Sequence, residues 1–204
     1  MLHIVLHEPE MPANTGNIGR TCVACGAVLH LIEPLGFRLN EKMIKRAGLD
    51  YWDKLDVRTY INFEDFLEKN NDPKIYMATT KAKHVYSAPA YEDDEDVYIM
   101  FGKESAGIPE EILLNYEETS IRIPMLPHIR SLNLSNSVAI VAYEVLRHQG
   151  FKAFLALMDK YHPKYFFHGH VHANYGSNFK RKDTYGTTTV INGYEFYVVE
   201  YPEG

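Results

Sequence analysis

The chain has 204 residues, a net charge of −6, and 46% hydrophobic against 24% charged residues. That length and balance fit one α/β domain with an appendage and exclude bulk disorder. No apolar run reaches the roughly 18–20 residues of a membrane span, and the opening MLHIVLHEPE turns acidic too soon for a signal peptide.

In chain order, HIVLH (3–7) reads as a short buried strand, and a helix-like stretch covers about 16–25. VLHLIEP (28–34) is a second strand, stopped by Pro34, with helix-like stretches at 41–46 and 62–69 after it. KIYMATT (74–80) and DVYIMFG (96–102) are the third and fourth strands, followed by a helical stretch at 109–115. SIRIPM (120–125) is the fifth. A long helix over 133–148 carries Leu134, Val138, Val141, Ala142 and Val145 at helical spacing, with Ser131 or Asn133 as its cap. This alternation predicts a mostly parallel sheet with helices on both faces, and ligands beyond the carboxyl ends of its strands.

The composition changes near residues 150–153, which divides the chain into a domain over 1–152 and an extension over 153–204. Residues 1–150 hold 15 basic against 22 acidic side chains; residues 151–204 hold 6 against 5, and 13 of the 26 aromatics. In the extension, 152–161 reads as a short helix, and 165–172, 187–192 and 196–201 as strands, with a polar stretch at 174–186. So short a segment does not easily build its own core. Cys22 and Cys25 form a C-x-x-C with no second pair. That points to helix packing rather than zinc, and to the reducing cytoplasm.

Three loops behind the strands carry the chemistry. Asn14-Thr15-Gly16-Asn17-Ile18-Gly19-Arg20 predicts a tight turn into a helix, with backbone N–H groups that cradle an anion. Arg20 is expected on the first helical turn, the unfavourable end for a cation, which suggests a task facing the loop. A plain turn with a solvated arginine is the alternative. Phe101-Gly102-Lys103-Glu104-Ser105-Ala106-Gly107 allows close backbone approach at its glycines and offers Glu104 as an acceptor. Arg130-Ser131-Leu132-Asn133-Leu134-Ser135-Asn136-Ser137 holds more small polar groups than a helix cap requires, suited to a polar ligand or to orienting a hydroxyl.

Together, N-x-G-N-x-x-R, F-G-x-E-x-x-G and I-P-M…R-S-L-N-L-S-N-S resemble the SPOUT class of RNA methyltransferases, and within it the TrmL-like family that modifies the tRNA wobble ribose. Arg46-Ala47-Gly48-Leu49-Asp50-Tyr51 is also similar to that family. The resemblance covers about residues 1–150. It implies a C-terminal trefoil knot, one of the rare exceptions to unknotted chains. It implies S-adenosylmethionine as cofactor, held by Ala78, Gly102, Ile123, Ser131, Leu132 and Asn133. It implies a cytoplasmic homodimer acting on tRNA, with no membrane or DNA partner. Arg20 then orients the ribose 2′-hydroxyl and stabilises developing alkoxide charge, because a guanidinium is too weak a base to take the proton. Ser135 and Asn136 assist, and Asn17, Glu104, Arg46 and Arg130 meet the RNA, with Arg38, Lys42 and Lys45 as further basic candidates. Alternatives are methylation of ribosomal RNA, which the lack of an N-terminal RNA-binding domain argues against, and a metallophosphoesterase fragment.

That last alternative comes from the extension. Its Gly169-His170-Val171-His172 resembles the C-terminal end of calcineurin-like metallophosphoesterases, which makes His170 and His172 weak metal-ligand candidates, with His168 beside them. The remaining ligand motifs of that family are absent from the sequence, and two histidines do not hold a dinuclear centre.

Overall fold

The computed structural model describes residues 1–38, 51–91, 96–149, 158–168 and 182–192. The chain separates into two compact units, Met1–Gln149 and Gly150–Gly204.

In the first unit the elements run β1 (Leu2–His7), α1 (Pro12–Cys25), β2 (Val28–Ile32), a 3₁₀ turn (Trp52–Lys54), β3 (Val57–Tyr60), α2 (Phe63–Lys69), β4 (Ile75–Ala78), β5 (His84–Val85), β6 (Val97–Phe101), α3 (Glu110–Leu113), a 3₁₀ turn (Glu117–Thr119), β7 (Ser120–Arg122) and α4 (Leu134–His148). The seven strands form one sheet in the order β3-β2-β1-β6-β4-β7-β5, with every pairing parallel. β1 and β6 lie at its centre and are buried along their whole length. The five expected strands and the α/β class are present.

Alternation along the strands sorts side chains to two cores. Leu2, Ile4, Leu6, Leu29, Leu31 and Ile99 pack with Ile18 and Cys22 of α1 and with Val138, Val141 and Val145 of α4. Val5, Ile32, Met77 and Met100 pack with Phe66 of α2 on the opposite face. Each fully buried Leu or Ile stabilises the fold by about 1.5–3 kcal/mol. Burial pushes the Cys22 thiol well above its ordinary range, so it serves as an inert packing group.

Two expectations need correction. The stretch 14–20 is not a turn: α1 begins at Pro12, the favoured first helical position for proline, so Asn14 to Arg20 are already helical. From Thr15 onward their amides are spent on the helix ladder rather than on a turn, and Arg20 sits in the third turn. Two strands also went unforeseen, β3 and β5. β3 lies at the sheet edge with only Tyr60 buried, and β5 is two residues long.

The second unit contains β8 (Tyr165–His168), β9 (Lys182–Tyr185) and β10 (Thr188–Asn192) in a sheet ordered β8-β10-β9, parallel on one side and antiparallel on the other. Residues 158–161 are helical. β9 occupies part of the stretch read as a polar separator. The helix expected over 41–46 and the strand expected over 196–201 lie outside the described residues. Among the described residues no helix is long and apolar enough to cross a membrane.

Candidate active site

A cavity of about 470 Å³ opens beyond the carboxyl ends of β4, β6 and β7. This is where ligands bind in open α/β sheets, and the volume suits a small-molecule site. Its walls come from three segments. The loop after β4 gives Ala78, Thr79 and Thr80; the loop after β6 gives Gly102 to Gly107; the β7–α4 connection gives Ile123, Met125 and Ser131 to Leu134. All six residues expected to hold a cofactor line this one cavity: Ala78, Gly102, Ile123, Ser131, Leu132 and Asn133.

Gly102 is there because nothing larger fits. A Cβ at this position would lie 2.0 Å from the Gly107 carbonyl carbon and 2.1 Å from the Ile108 nitrogen. Gly107 has φ +75°, in the left-handed region that favours glycine, and its N–H donates to the Lys103 carbonyl at 2.8 Å. The two glycines fold this loop back on itself and present its backbone to the cavity.

The same loop is tied to the start of α1. Glu104 Oε2 accepts from the Glu10 N–H at 2.8 Å, and Oε1 accepts from the Met11 N–H at 3.3 Å and from Asn14 Nδ2 at 2.9 Å. In return the Glu10 carboxylate accepts from the Ser105 N–H at 2.9 Å and from Ser105 Oγ at 2.8 Å, which holds its pKa below the ordinary carboxylate range. Glu8 and Lys103 pair at 2.7 Å, which raises the lysine. Met11 gives α1 no side-chain cap of its own, so Glu104 supplies a carboxylate to that helix end from 93 residues away. Glu104 lines the cavity, but both its oxygens are engaged in this way. Its observed work is to position α1.

From Asn14 the network continues to α4. Asn133 Nδ2 donates to Asn14 Oδ1 at 3.1 Å, while Asn133 Oδ1 accepts from the Ser135 N–H at 2.9 Å and from Ser135 Oγ at 2.7 Å. Asn133 is therefore the N-cap of α4 and also a cavity wall. Asn14 is 5% exposed and was missed as a site residue. Its position in an apparent turn motif hid its burial.

Other expected residues fall elsewhere. Arg20 is exposed, its guanidinium lies 4.7 Å from the Tyr51 ring centroid, and it does not line the cavity. Tyr51 is buried, and its hydroxyl donates to the Gly16 carbonyl, which fixes the platform under Arg20. Six residues beyond Asn14, Arg20 is about 9 Å further along the helix and turned roughly 120° away from it. Asn17, Arg130 and Asn136 are exposed and Ser135 is half-buried; none of the four lines the cavity. Arg46, Lys42, Lys45, His170 and His172 lie outside the described residues. Among the described residues no cluster of His, Cys, Asp or Glu could hold a metal ion.

The comparisons with known proteins bear on the same region. Residues 1–143 match the model of the SpoU rRNA Methylase family. A Listeria monocytogenes protein named provisionally as a tRNA (cytidine(34)-2′-O)-methyltransferase is 53% identical over 154 residues, 75% of this chain and 91% of that one. The Escherichia coli tRNA (cytidine(34)-2′-O)-methyltransferase is 47% identical over 152 residues, 74% of this chain and 96% of that one. A solved structure concerned with the 2-OH methylation of C/U34 on tRNA superposes with a TM-score of 0.67 at 42% identity, over 72% of this chain and 95% of that one. With its domain matched almost from end to end, the chain belongs to the SpoU methylase family.

Proposed function

We propose that this protein is an S-adenosylmethionine-dependent methyltransferase that modifies the ribose 2′-hydroxyl at the wobble position of tRNA. The observation that carries the reading is the single cavity formed by all six expected cofactor residues, in a chain nearly half identical to wobble methyltransferases.

The cavity fits the cofactor. Ala78, Ile121, Ile123 and Leu134 provide apolar walls for an adenine ring, while Thr79, Ser131 and Asn133 offer hydroxyl and amide groups for its polar edges. Backbone groups of the Gly102 loop approach without side-chain obstruction. When bound there, S-adenosylmethionine supplies an electrophilic methyl group on sulfonium.

The remaining chemistry belongs to the protein. A 2′-hydroxyl is a poor nucleophile until its proton is accepted or polarised. Arg20 orients that hydroxyl and stabilises charge developing on its oxygen, with Ser135 and Asn136 as helpers near the helix start. Asn17, Arg46 and Arg130 meet the RNA backbone, and Glu104 acts indirectly by fixing α1.

Arg20 does not line the cavity of its own chain. This supports a homodimer, in which α1 of a second copy brings Arg20 to each cavity. The reading also includes the trefoil knot that the resemblance to the SPOUT class implies. It places the enzyme in the cytoplasm, with tRNA as its nucleic-acid partner. In the same reading residues 1–152 form the methyltransferase domain and 153–204 an appended extension.

The test is methyl transfer from labelled S-adenosylmethionine to unmethylated total tRNA, with the modified nucleotide mapped, for wild type and Arg20→Ala. A 2′-O-methyl at position 34 that disappears in the variant is expected. Methylation at another position, or in ribosomal RNA only, overturns the reading.

A further inference from the structure

Three cations line the cavity: Lys81, Lys103 and Arg122. Two of them are already matched. Lys103 pairs with Glu8 at 2.7 Å, and Lys81 with Glu110 at 3.4 Å. Arg122 is different. It ends β7 and is half-buried, and its guanidinium has no carboxylate or hydrogen-bond partner among the described residues. Its backbone is fixed by the strand pairing with β5 and by its carbonyl, which accepts from the Tyr86 N–H at 2.9 Å. Glu104, the one carboxylate lining the cavity among the described residues, is engaged by donors from the start of α1. A partly desolvated guanidinium with five donors and no acceptor is a costly arrangement unless an anion completes it.

We propose that Arg122 is a cofactor-binding residue whose guanidinium pairs with the α-carboxylate at the methionyl end of S-adenosylmethionine. This rests on the cofactor reading above and adds to it the group that reads the charged end of the ligand. Arg122 immediately precedes Ile123, so one strand end would supply both an apolar wall and a cation to the same molecule. An RNA phosphate is the other anion within reach. It arrives with a polynucleotide on the outer surface, where Arg20 and Arg130 are exposed. The half-buried setting of Arg122 favours the smaller ligand inside. A planar fork that accepts a carboxylate bidentately also gives the site a reason to use Arg rather than Lys.

Calorimetry on the ligand-free protein tests this without turnover. The probes are S-adenosylhomocysteine, which keeps the carboxylate, and methylthioadenosine, which lacks it. Wild type is expected to prefer S-adenosylhomocysteine. Arg122→Gln should weaken S-adenosylhomocysteine about 10- to 100-fold, as loss of a charge-assisted pair does, and leave methylthioadenosine within about twofold. Arg122→Lys should recover part of the loss. Equal weakening of both ligands means that Arg122 only shapes the cavity, and overturns the proposal. So does unchanged S-adenosylhomocysteine affinity with a raised KM for tRNA, which assigns Arg122 to a phosphate. If Arg122→Gln does not fold, wild type still decides: methylthioadenosine binding as tightly as S-adenosylhomocysteine removes any role for the carboxylate. A wild type that binds neither nucleoside refutes the cofactor reading itself, a different result from either of these.

Discussion

Asn133 and Asn14 meet side chain to side chain at 3.1 Å, although 119 residues separate them. This contact joins the N-cap of α4 to the first turns of α1, and through Glu104 it reaches the loop after β6. Three segments distant in sequence thereby share one polar network at the mouth of the cavity. Such networks are stabilising only when every member is satisfied.

Asn14→Ala leaves the Asn133 amide and a Glu104 oxygen short of a partner at a part-buried site. The expected cost is about 1–3 kcal/mol in stability, together with weaker cofactor binding, because Asn133 is a wall of the cavity. Asn14→Asp should be worse at neutral pH, since it sets a second carboxylate against Glu104 and removes the donor. Thermal melts and nucleoside titrations of the two variants check this. An Asn14→Asp protein that melts with wild type would show the link to be idle.

Gly102→Ala should be among the most damaging single-methyl changes in the molecule. Its Cβ would collide with backbone atoms of Gly107 and Ile108, not with a side chain able to swing aside. Relief requires opening the Lys103–Gly107 bridge, with overpacking costs of about 1–3 kcal/mol or more. The loop that opens is a cavity wall, so cofactor affinity should fall further than stability does. Binding preserved in a folded Gly102→Ala protein would contradict the role given to this loop.

The central strands were legible because burial on both faces leaves a continuous apolar run, as in LHIVLH and VYIMF. The edge strand β3 was not, since VRTY buries only Tyr60 and its apolar pattern is weak. The start of α1 was misread because Asn-Thr-Gly-Asn is turn chemistry locally, while the carboxylate serving that helix end comes from Glu104. A partner 90 residues away leaves no mark in the local sequence. The six residues expected to hold the cofactor came from resemblance to a family, and they line one cavity. Asn14 and Arg122 escaped notice, and the partners of Glu104 were not foreseen, because only the fold shows what surrounds them.

The extension should be dispensable for methyl transfer. The cavity and its network lie wholly within Met1–Gln149, and the Escherichia coli relative matches 74% of the chain. A protein cut after Gln149 should bind S-adenosylmethionine with unchanged affinity and modify tRNA at a rate within about threefold of the full chain. With the proposed knot it should also refold faster, because fewer residues would need to be threaded. A truncated protein that is folded but cannot bind the cofactor would make the extension part of the site.

A cluster away from the cavity sets the response to acid. His3 Nδ1 and His30 Nε2 lie 2.9 Å apart, and His30 Nδ1 is 2.8 Å from the Tyr60 hydroxyl, with His3 stacked on Tyr98. His3 and His30 are 4% and 0% exposed. Burial, and the proximity of the two rings, hold His30 down to about 3 from an ordinary 6.5. Burial likewise lowers His3, against the opposing pull of Asp96, and His7. Folded-state values below the unfolded one mean that the unfolded chain binds more protons as pH falls. The stability contributed by the neutral rings is complete above about pH 6.5 and is lost progressively below it, towards the folded value of His30. Melting temperature should therefore drop between pH 7 and pH 5, before ordinary carboxylates titrate. His30→Phe should melt lower at pH 8, having lost its hydrogen bonds to His3 and Tyr60, yet change less across the same interval. Equal slopes for the two proteins between pH 7 and 5 would remove this cluster as the source of acid sensitivity.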